Sequence, residues 1–276
     1  VRHLRYGRST FLLELAMIAA AVGFMFPVYA LVTLSFKDAG QIANTPLALP
    51  DPPTTSNFSN AWESASLGEA LLTSTVVTVV SVLLLIAIGS TAAYWLARRA
   101  TRLSYGLYVL FLLGIVLPFQ LGTIPLFRLV DQLGLIGSPQ GLILFYSGIQ
   151  LPFTIFLYTG FIRALPSDYD DAAAIDGANH LQAFTKVVFP LLRPITGTVL
   201  ILNAVFVWND FFTPLLYMGG SESETVPVRI FGFVGQYVSD YGLVFAGLVL
   251  AALPIIAVFL LLQRYVIRGF ASGLKG

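Results

Sequence analysis

The chain alternates between long apolar runs and shorter polar interruptions. Six runs reach membrane length, at residues 11–34, 71–96, 105–127, 142–162, 195–218 and 243–262. About 20 consecutive apolar residues, coiled as a helix, cross the hydrocarbon core of a bilayer. The runs are continuous, not alternating, which predicts helices in place of a barrel. The expected fold class is an all-α membrane protein with six transmembrane helices, forming a single domain over residues 1–276. The first run exceeds the roughly 7–15 apolar residues of a secretory signal and reads as a retained span.

The polar interruptions fix an orientation. With the N-terminus inside, twelve of the fifteen Lys and Arg residues fall on the cytoplasmic side: Arg2, Arg5, Arg8, Arg98, Arg99, Arg102, Arg163, Lys186, Arg193, Arg264, Arg268 and Lys275. Only Lys37, Arg128 and Arg229 fall outside. The positive-inside rule therefore predicts that both termini are cytoplasmic. It also predicts a cytoplasmic loop at 163–194, between spans 4 and 5, and a cytoplasmic tail at 264–276.

Composition agrees with this class. Hydrophobic residues make up 57% and charged residues 11% of the chain, against about 25% charged in soluble domains. A net charge of +1 gives no case for nucleic acid. There is no cysteine, and the two histidines, His3 and His180, are far apart. Thiol chemistry is excluded and no metal site is expected. No G-x-x-x-x-G-K phosphate loop is present, so the chain is expected to be no enzyme and to have no catalytic residues.

Prolines stand inside the predicted spans at Pro27, Pro118, Pro125, Pro152, Pro214 and Pro254. Each removes a backbone donor and tends to kink its helix. Broken helices are tolerated in membranes where they are buried in protein or line a cavity. That favours a transporter or channel over a simple anchor.

Few polar residues lie at membrane depth. Glu14 is close enough to the start of span 1 to reach the interface. Asp210 lies deeper, with Asn209 beside it and Asn203 seven residues earlier on the same helical face. A buried carboxylate costs several kcal/mol unless it meets water or a partner. This face is either a solute-pathway position or a structural hydrogen bond to a neighbouring helix. Gln120 and Gln150, each near a proline, raise the same question, and Tyr146 shares a face with Gln150. Asp210 also permits a reading from another class, a proton-coupled secondary carrier. It is the one deep ionisable group, whereas such a pathway normally needs several.

The loop at 163–194 reads as helix, glycine turn, helix. Asp168, Asp170 and Asp171 occupy first-turn positions favoured by the helix dipole. Three alanines follow, and Gly177 supplies the stop. Leu181, Phe184, Val187, Val188 and Leu191 then define one apolar face. The first helix offers small residues for close approach, either by another protein or by the chain itself.

At these residues a family resemblance enters. The stretch "DAAAIDGA" followed by "VVFPLLRP" resembles the EAA loop of permease subunits in bacterial ABC importers. Ala172, Ala173, Asp176, Gly177, Ala178, Val188 and Pro190 match, while Asp171 stands where the family usually has Glu. "LPFTIFLYTGFIRALPSDYDDAAAIDGA", "WNDFFTPLLYM" and "RYVIRGFASGLKG" are similar to the carbohydrate-uptake branch, in particular its maltose-type G subunits.

The resemblance implies partners and roles. These are a second homologous permease subunit, two ATPase subunits carrying ATP and Mg, an extracytoplasmic solute-binding protein and a sugar substrate. The location implied is the bacterial cytoplasmic membrane. Asp171, Ala172, Ala173, Asp176, Gly177, Ala178 and Pro190 would couple to an ATPase. The tail residues Gly269, Ser272, Gly273 and Lys275 would also reach toward it. Gln120, Tyr146, Gln150, Asn203, Asn209 and Asp210 are the candidate pathway lining. No cofactor is expected on this chain. The branch handles disaccharides, oligosaccharides and glycerol phosphates, and the lack of a deep basic residue disfavours a phosphorylated solute here.

Overall fold

The computed structural model describes residues 8–236 and 241–273. The elements run α1 (Arg8–Ser35), α2 (Ala39–Asn44), α3 (Ser56–Ser64), α4 (Leu67–Arg98) and α5 (Arg102–Val116). A 3-10 turn (Phe119–Gly122) leads into α6 (Thr123–Gln132), α7 (Pro139–Ile149), α8 (Leu151–Ala164) and α9 (Asp168–Ile175). Next come α10 (His180–Gln182), a π-helical segment (Ala183–Val188) and α11 (Phe189–Leu191). The chain ends with α12 (Arg193–Asn209), α13 (Phe212–Met218), α14 (Val226–Gln236) and α15 (Tyr241–Gly273). No strand occurs among the described residues.

Three single helices are long and apolar enough to cross a membrane, at Thr10–Ser35, Leu67–Arg98 and Tyr241–Leu261. Three further candidates are bent pairs. Arg102–Val116 meets Phe119–Gln132 at 93°, Pro139–Ile149 meets Leu151–Ala164 at 43°, and His180–Leu191 meets Arg193–Asn209 at 76°. The expected spans at 105–127 and 142–162 are thus bent within, as their prolines suggest, while the 76° bend lies ahead of the expected span at 195–218. Proline chemistry accounts for the breaks. Pro118, Pro152 and Pro194 each lack an N–H, and each ring crowds the carbonyl four residues earlier. A further break falls at Asp210 and Phe211, between α12 and α13, four residues before Pro214. Pro27 and Pro254 instead lie inside helices that run on past them.

The described chain divides into two compact units, one of Val1–Leu67 with Arg229–Leu253 and one of Gly68–Val228 with Pro254–Gly276. In the first, Lys37 is fully buried just beyond the end of α1 and donates to the carbonyls of Thr45 and Pro46. Its charge suits the negative C-terminal end of that helix. Asn57 donates to the Ser35 and Lys37 carbonyls at 2.9 and 2.8 Å, pinning the outer segment to the same helix end. None of the apolar window of α1 is buried within the chain.

Two apolar clusters lie in the second unit. One cluster joins Ala93, Tyr108, Ile155, Tyr158, Ile162, Phe184, Val188 and Leu192. Another joins Val77, Leu142, Phe145, Tyr146, Val207, Tyr217 and Met218. Gly89 lets α4 approach α8 closely, because a Cβ there would stand 2.5 Å from the Thr154 methyl group. Small residues serve membrane helix packing in this way. The second of the expected loop helices differs in detail from its pattern. Leu181 is exposed, while Ala183, Phe184, Val188 and Leu192 point inward. A π-helical turn covers Ala183–Val188, so a regular α-helical face does not run through this stretch.

Candidate functional site: a braced cytoplasmic loop and a broken membrane pathway

The loop helix α9 has defined ends. Asp168, Asp170 and Asp171 occupy its first turn. At its other end Gly177 adopts φ +80°. The Ala178 N–H donates to the Ala173 carbonyl at 2.9 Å, and the Gly177 N–H to the Ala174 carbonyl at 3.0 Å. This is a Schellman stop, in which left-handed geometry favours glycine. Asn179 then opens the next helix with a reciprocal capping box to Gln182, at 2.9 and 3.0 Å. A helix–glycine–helix hairpin is thus specified by local chemistry.

What the hairpin presents is as informative. Asp171, Ala172, Ala174, Ile175, Asp176 and Gly177 are exposed, and the Ile175 side chain is 86% accessible. Ala173, in contrast, is only 5% accessible and packs against the chain itself. Ala178 and Pro190 are half-buried. Asp171 makes no described side-chain bond.

The neighbouring Asp170 is the acid that pairs, a role the sequence reading missed. Arg98 Nε lies 2.8 Å from Asp170 Oδ2, with the side chains 19% and 20% accessible. Tyr94 donates its hydroxyl to Asp170 Oδ1 at 2.5 Å. Arg98 also donates to the carbonyls of Ile162, Leu165 and Pro166, at 3.2, 3.1 and 3.4 Å. One guanidinium therefore ties the end of α4 to the end of α8 and the start of α9. The Tyr94 ring packs 5.1 Å from that of Phe184, centroid to centroid, extending the brace to the π-helical segment. Arg163 stacks over the Tyr108 ring at 4.5 Å, fastening α8 to α5. The available signal for the brace was the placement of Arg98 at a helix end beside a predicted cytoplasmic loop.

The candidate pathway residues separate into different environments. Tyr146, fully buried, donates to Asp210 Oδ2 at 3.0 Å. Asp210 Oδ1 accepts from the backbone N–H groups of Phe212 and Thr213, at 3.1 and 3.4 Å. Asp210 thus satisfies donors exposed by the helix break. Asp210 is the C-cap of α12, with φ −69° still helical and ψ 126° extended, so the chain leaves the helix just after it. Asn203 is fully buried and donates to Thr154 Oγ1 at 3.2 Å and to the Val199 carbonyl at 2.9 Å. Of the two readings open for this residue, the bond to Thr154 is of the structural kind, joining α12 to α8.

Asn209 is exposed and donates back to the Val205 carbonyl at 2.8 Å. Gln120 is exposed, and Gln150 lies on a half-open cavity at the α7–α8 break. Of the tail, Gly269, Ser272 and Gly273 fall in the last turns of α15, which continues through the expected boundary at 264. Lys275 lies outside the described residues. No cluster of metal-ligating side chains occurs among the described residues.

Comparison with known proteins places this architecture. The chain is 39% identical over 260 residues to the melibiose/raffinose/stachyose import permease protein MelC of Bacillus subtilis, covering 94% of each chain. It is 38% identical over 253 residues to the multiple sugar-binding transport system permease protein MsmG of Streptococcus mutans, covering 90% of this chain and 91% of that one. A crystal structure of a bacterial ABC transporter involved in the import of the acidic polysaccharide alginate contains a chain with the same fold. The match has a TM-score of 0.79 at 21% identity and covers 94% of this chain and 98% of that one. The profile of the binding-protein-dependent transport system inner membrane components matches residues 86–272. The chain belongs to this family and is a multi-pass permease subunit of a sugar ABC transporter.

Proposed function

We propose that this chain forms half of the translocation pathway of an ATP-driven sugar importer in the bacterial inner membrane. It crosses the membrane six times, with three straight helices and three broken ones, and both termini are cytoplasmic. It pairs with a second permease subunit, two ATPase subunits and an extracytoplasmic solute-binding protein. ATP and Mg belong to the ATPases, and this chain hydrolyses nothing.

The observation that carries this reading is the exposed end of α9. A rigid hairpin presents Ile175 to solvent among Asp171, Ala172, Asp176 and Gly177. The exposed small residues Ala172, Ala174 and Gly177 leave room for the cleft wall of another protein to approach, with Ile175 the apolar group it would cover. Ala173 contributes from behind, by seating the helix on its own chain.

The brace supplies the mechanical link. When ATP draws the two ATPases together, α9 moves with them. Asp170, Arg98 and Tyr94 carry that displacement into α4 and the end of α8. Broken spans then provide joints at which the pathway changes its accessible side. Relatives named for melibiose, raffinose and stachyose import, or as multiple sugar-binding system permeases, support a sugar as cargo.

The second reading, a proton-coupled carrier using Asp210, meets a physical objection. Asp210 Oδ1 accepts from two backbone N–H groups at the start of α13, and Oδ2 accepts from the Tyr146 hydroxyl, so both oxygens are engaged by fixed protein donors. Asp210 is also the one deep ionisable group of the expected spans, whereas a proton pathway normally needs several.

Affinity purification of a tagged chain from native membranes tests the assembly. The expected result is recovery of an ATPase and a second permease. Recovery of the chain alone, active in transport without them, would overturn it.

A further inference from the structure

One cavity is absorbed by neither the brace nor the Asp210 cap. It measures about 200 Å³ and lies between the end of α5, the 3-10 turn, the α7–α8 break and α12. Its lining includes Gly114, Ile115, Phe119, Gln150, Phe153 and Phe206. Typical pockets for drug-sized ligands measure roughly 300–1,000 Å³. This volume accordingly suits one ring of a larger solute, not an entire oligosaccharide.

The chemistry of the wall selects the kind of ring. Gln150 is the one lining residue with a polar side chain, and it is half-buried with no described side-chain hydrogen bond. The backbone adds further acceptors. Pro118 has no N–H to give the Gly114 carbonyl, and α5 stops at Val116 before Ile115 acquires a helical donor. Backbone acceptors of this kind, at membrane depth, call for donors from a neighbour, from water or from a solute. Three phenylalanine rings complete the wall. Aromatic faces carry negative quadrupole density and attract the weakly positive C–H face of a saturated ring.

No titratable side chain lines the cavity. A carboxylate or phosphate there would be stripped of water with no cation to meet it. A neutral polyhydroxylated ring fits instead, with hydroxyl donors for the carbonyls, a partner for the amide, and a C–H face for the phenylalanines.

We propose that this cavity is a sugar subsite within the permease chain, taking one neutral pyranose ring of the cargo in transit. The proposal rests on the sugar-importer reading above and gives that reading a location. Gln150 contacts the sugar through its side-chain amide, while Phe153 and Phe206 hold the ring.

The sequence offers a clean probe because the chain has no cysteine. Gln150→Cys places one thiol of this subunit at the cavity. The complete transporter in proteoliposomes is treated with a small maleimide, and modification of this subunit is read by mass spectrometry. The probe sugars are melibiose, raffinose and maltose, each with solute-binding protein and ATP.

Labelling is expected to slow at least threefold with a sugar that the wild-type complex carries, and to stay constant with a sugar it does not carry. In parallel, Gln150→Leu is expected to lower ATP-driven uptake of the carried sugar roughly fivefold to tenfold, the loss of about one hydrogen bond. Phe206→Leu, which keeps the apolar volume but loses the flat face, is expected to reduce uptake in the same way.

Unprotected labelling with normal Gln150→Leu uptake, in a complex that does carry a sugar, overturns the subsite alone. Wild-type complexes that carry none of a broad panel of neutral sugars overturn the sugar-importer reading, and the subsite with it.

Discussion

Replacing Arg98 by alanine removes the brace at its centre. The change strands the Asp170 carboxylate, which is 20% accessible, and frees the carbonyls of Ile162, Leu165 and Pro166. A hydrogen bond to a charged group contributes about 1.5–3 kcal/mol. Breaking a well-buried ion pair costs about 3–5 kcal/mol. With a fifth of each side chain still reaching solvent, the lower part of these ranges applies. A local cost of about 2–3 kcal/mol follows, which is roughly a 30- to 160-fold increase in the opening of α9.

Hydrogen–deuterium exchange of residues 166–178 in the assembled, nucleotide-free transporter reads this opening directly. Arg98→Ala is expected to accelerate exchange by that factor and to lower sugar uptake per ATP hydrolysed. Arg98→Lys keeps the charge without the fork geometry and should fall between. Glu63→Gln, exposed in α3 and outside the loop, is the control, and its exchange should match the wild type. If Arg98→Ala exchanges within threefold of the wild type while the protein remains assembled, the brace is not what holds α9.

Three further outcomes are expected. Gly177→Asp should insert and assemble in the membrane yet lose most ATP-driven uptake. No atom stands within 4 Å of the added Cβ, but φ +80° imposes roughly 1–2 kcal/mol of strain at the exposed turn; normal uptake in vesicles would refute this. Asp171→Ala should weaken recovery of the ATPase by several-fold in co-purification, and unchanged recovery would count against a contact there. Asp210→Asn should retain uptake within about threefold, because an amide can still cap α13 and meet the Tyr146 hydroxyl. Complete loss of transport with intact assembly would favour the carrier reading instead.

The helix–glycine–helix hairpin was legible in the sequence because its ends are specified locally, by the first-turn acids, by Gly177 and by Asn179 with Gln182. The breaks were partly legible. Proline chemistry flags Pro118 and Pro152, yet Pro27 and Pro254 sit inside helices that continue, so proline alone does not decide. The choice of Asp170 over Asp171 was not legible. Adjacent helical residues differ by about 100° in direction, and only the packing of α4 against the loop selects which acid meets Arg98. The bond of Asn203 to Thr154 was not legible either, since spacing gives a residue's helical face without saying whether that face meets a helix or a cavity. The cavity at Gln150 needs three separate elements to assemble, and no single stretch of sequence encodes it.

The central claim is that ATP, acting through partner subunits gripping α9, drives sugar through this chain. Its most direct test is uptake into proteoliposomes holding this permease, its partner permease and the ATPases, with ATP inside and sugar-loaded binding protein outside. The account predicts uptake that requires both ATP and binding protein, persists with a protonophore, and disappears in Gly177→Asp. Uptake by this chain without ATP, or uptake abolished by the protonophore while ATP is retained, would contradict it.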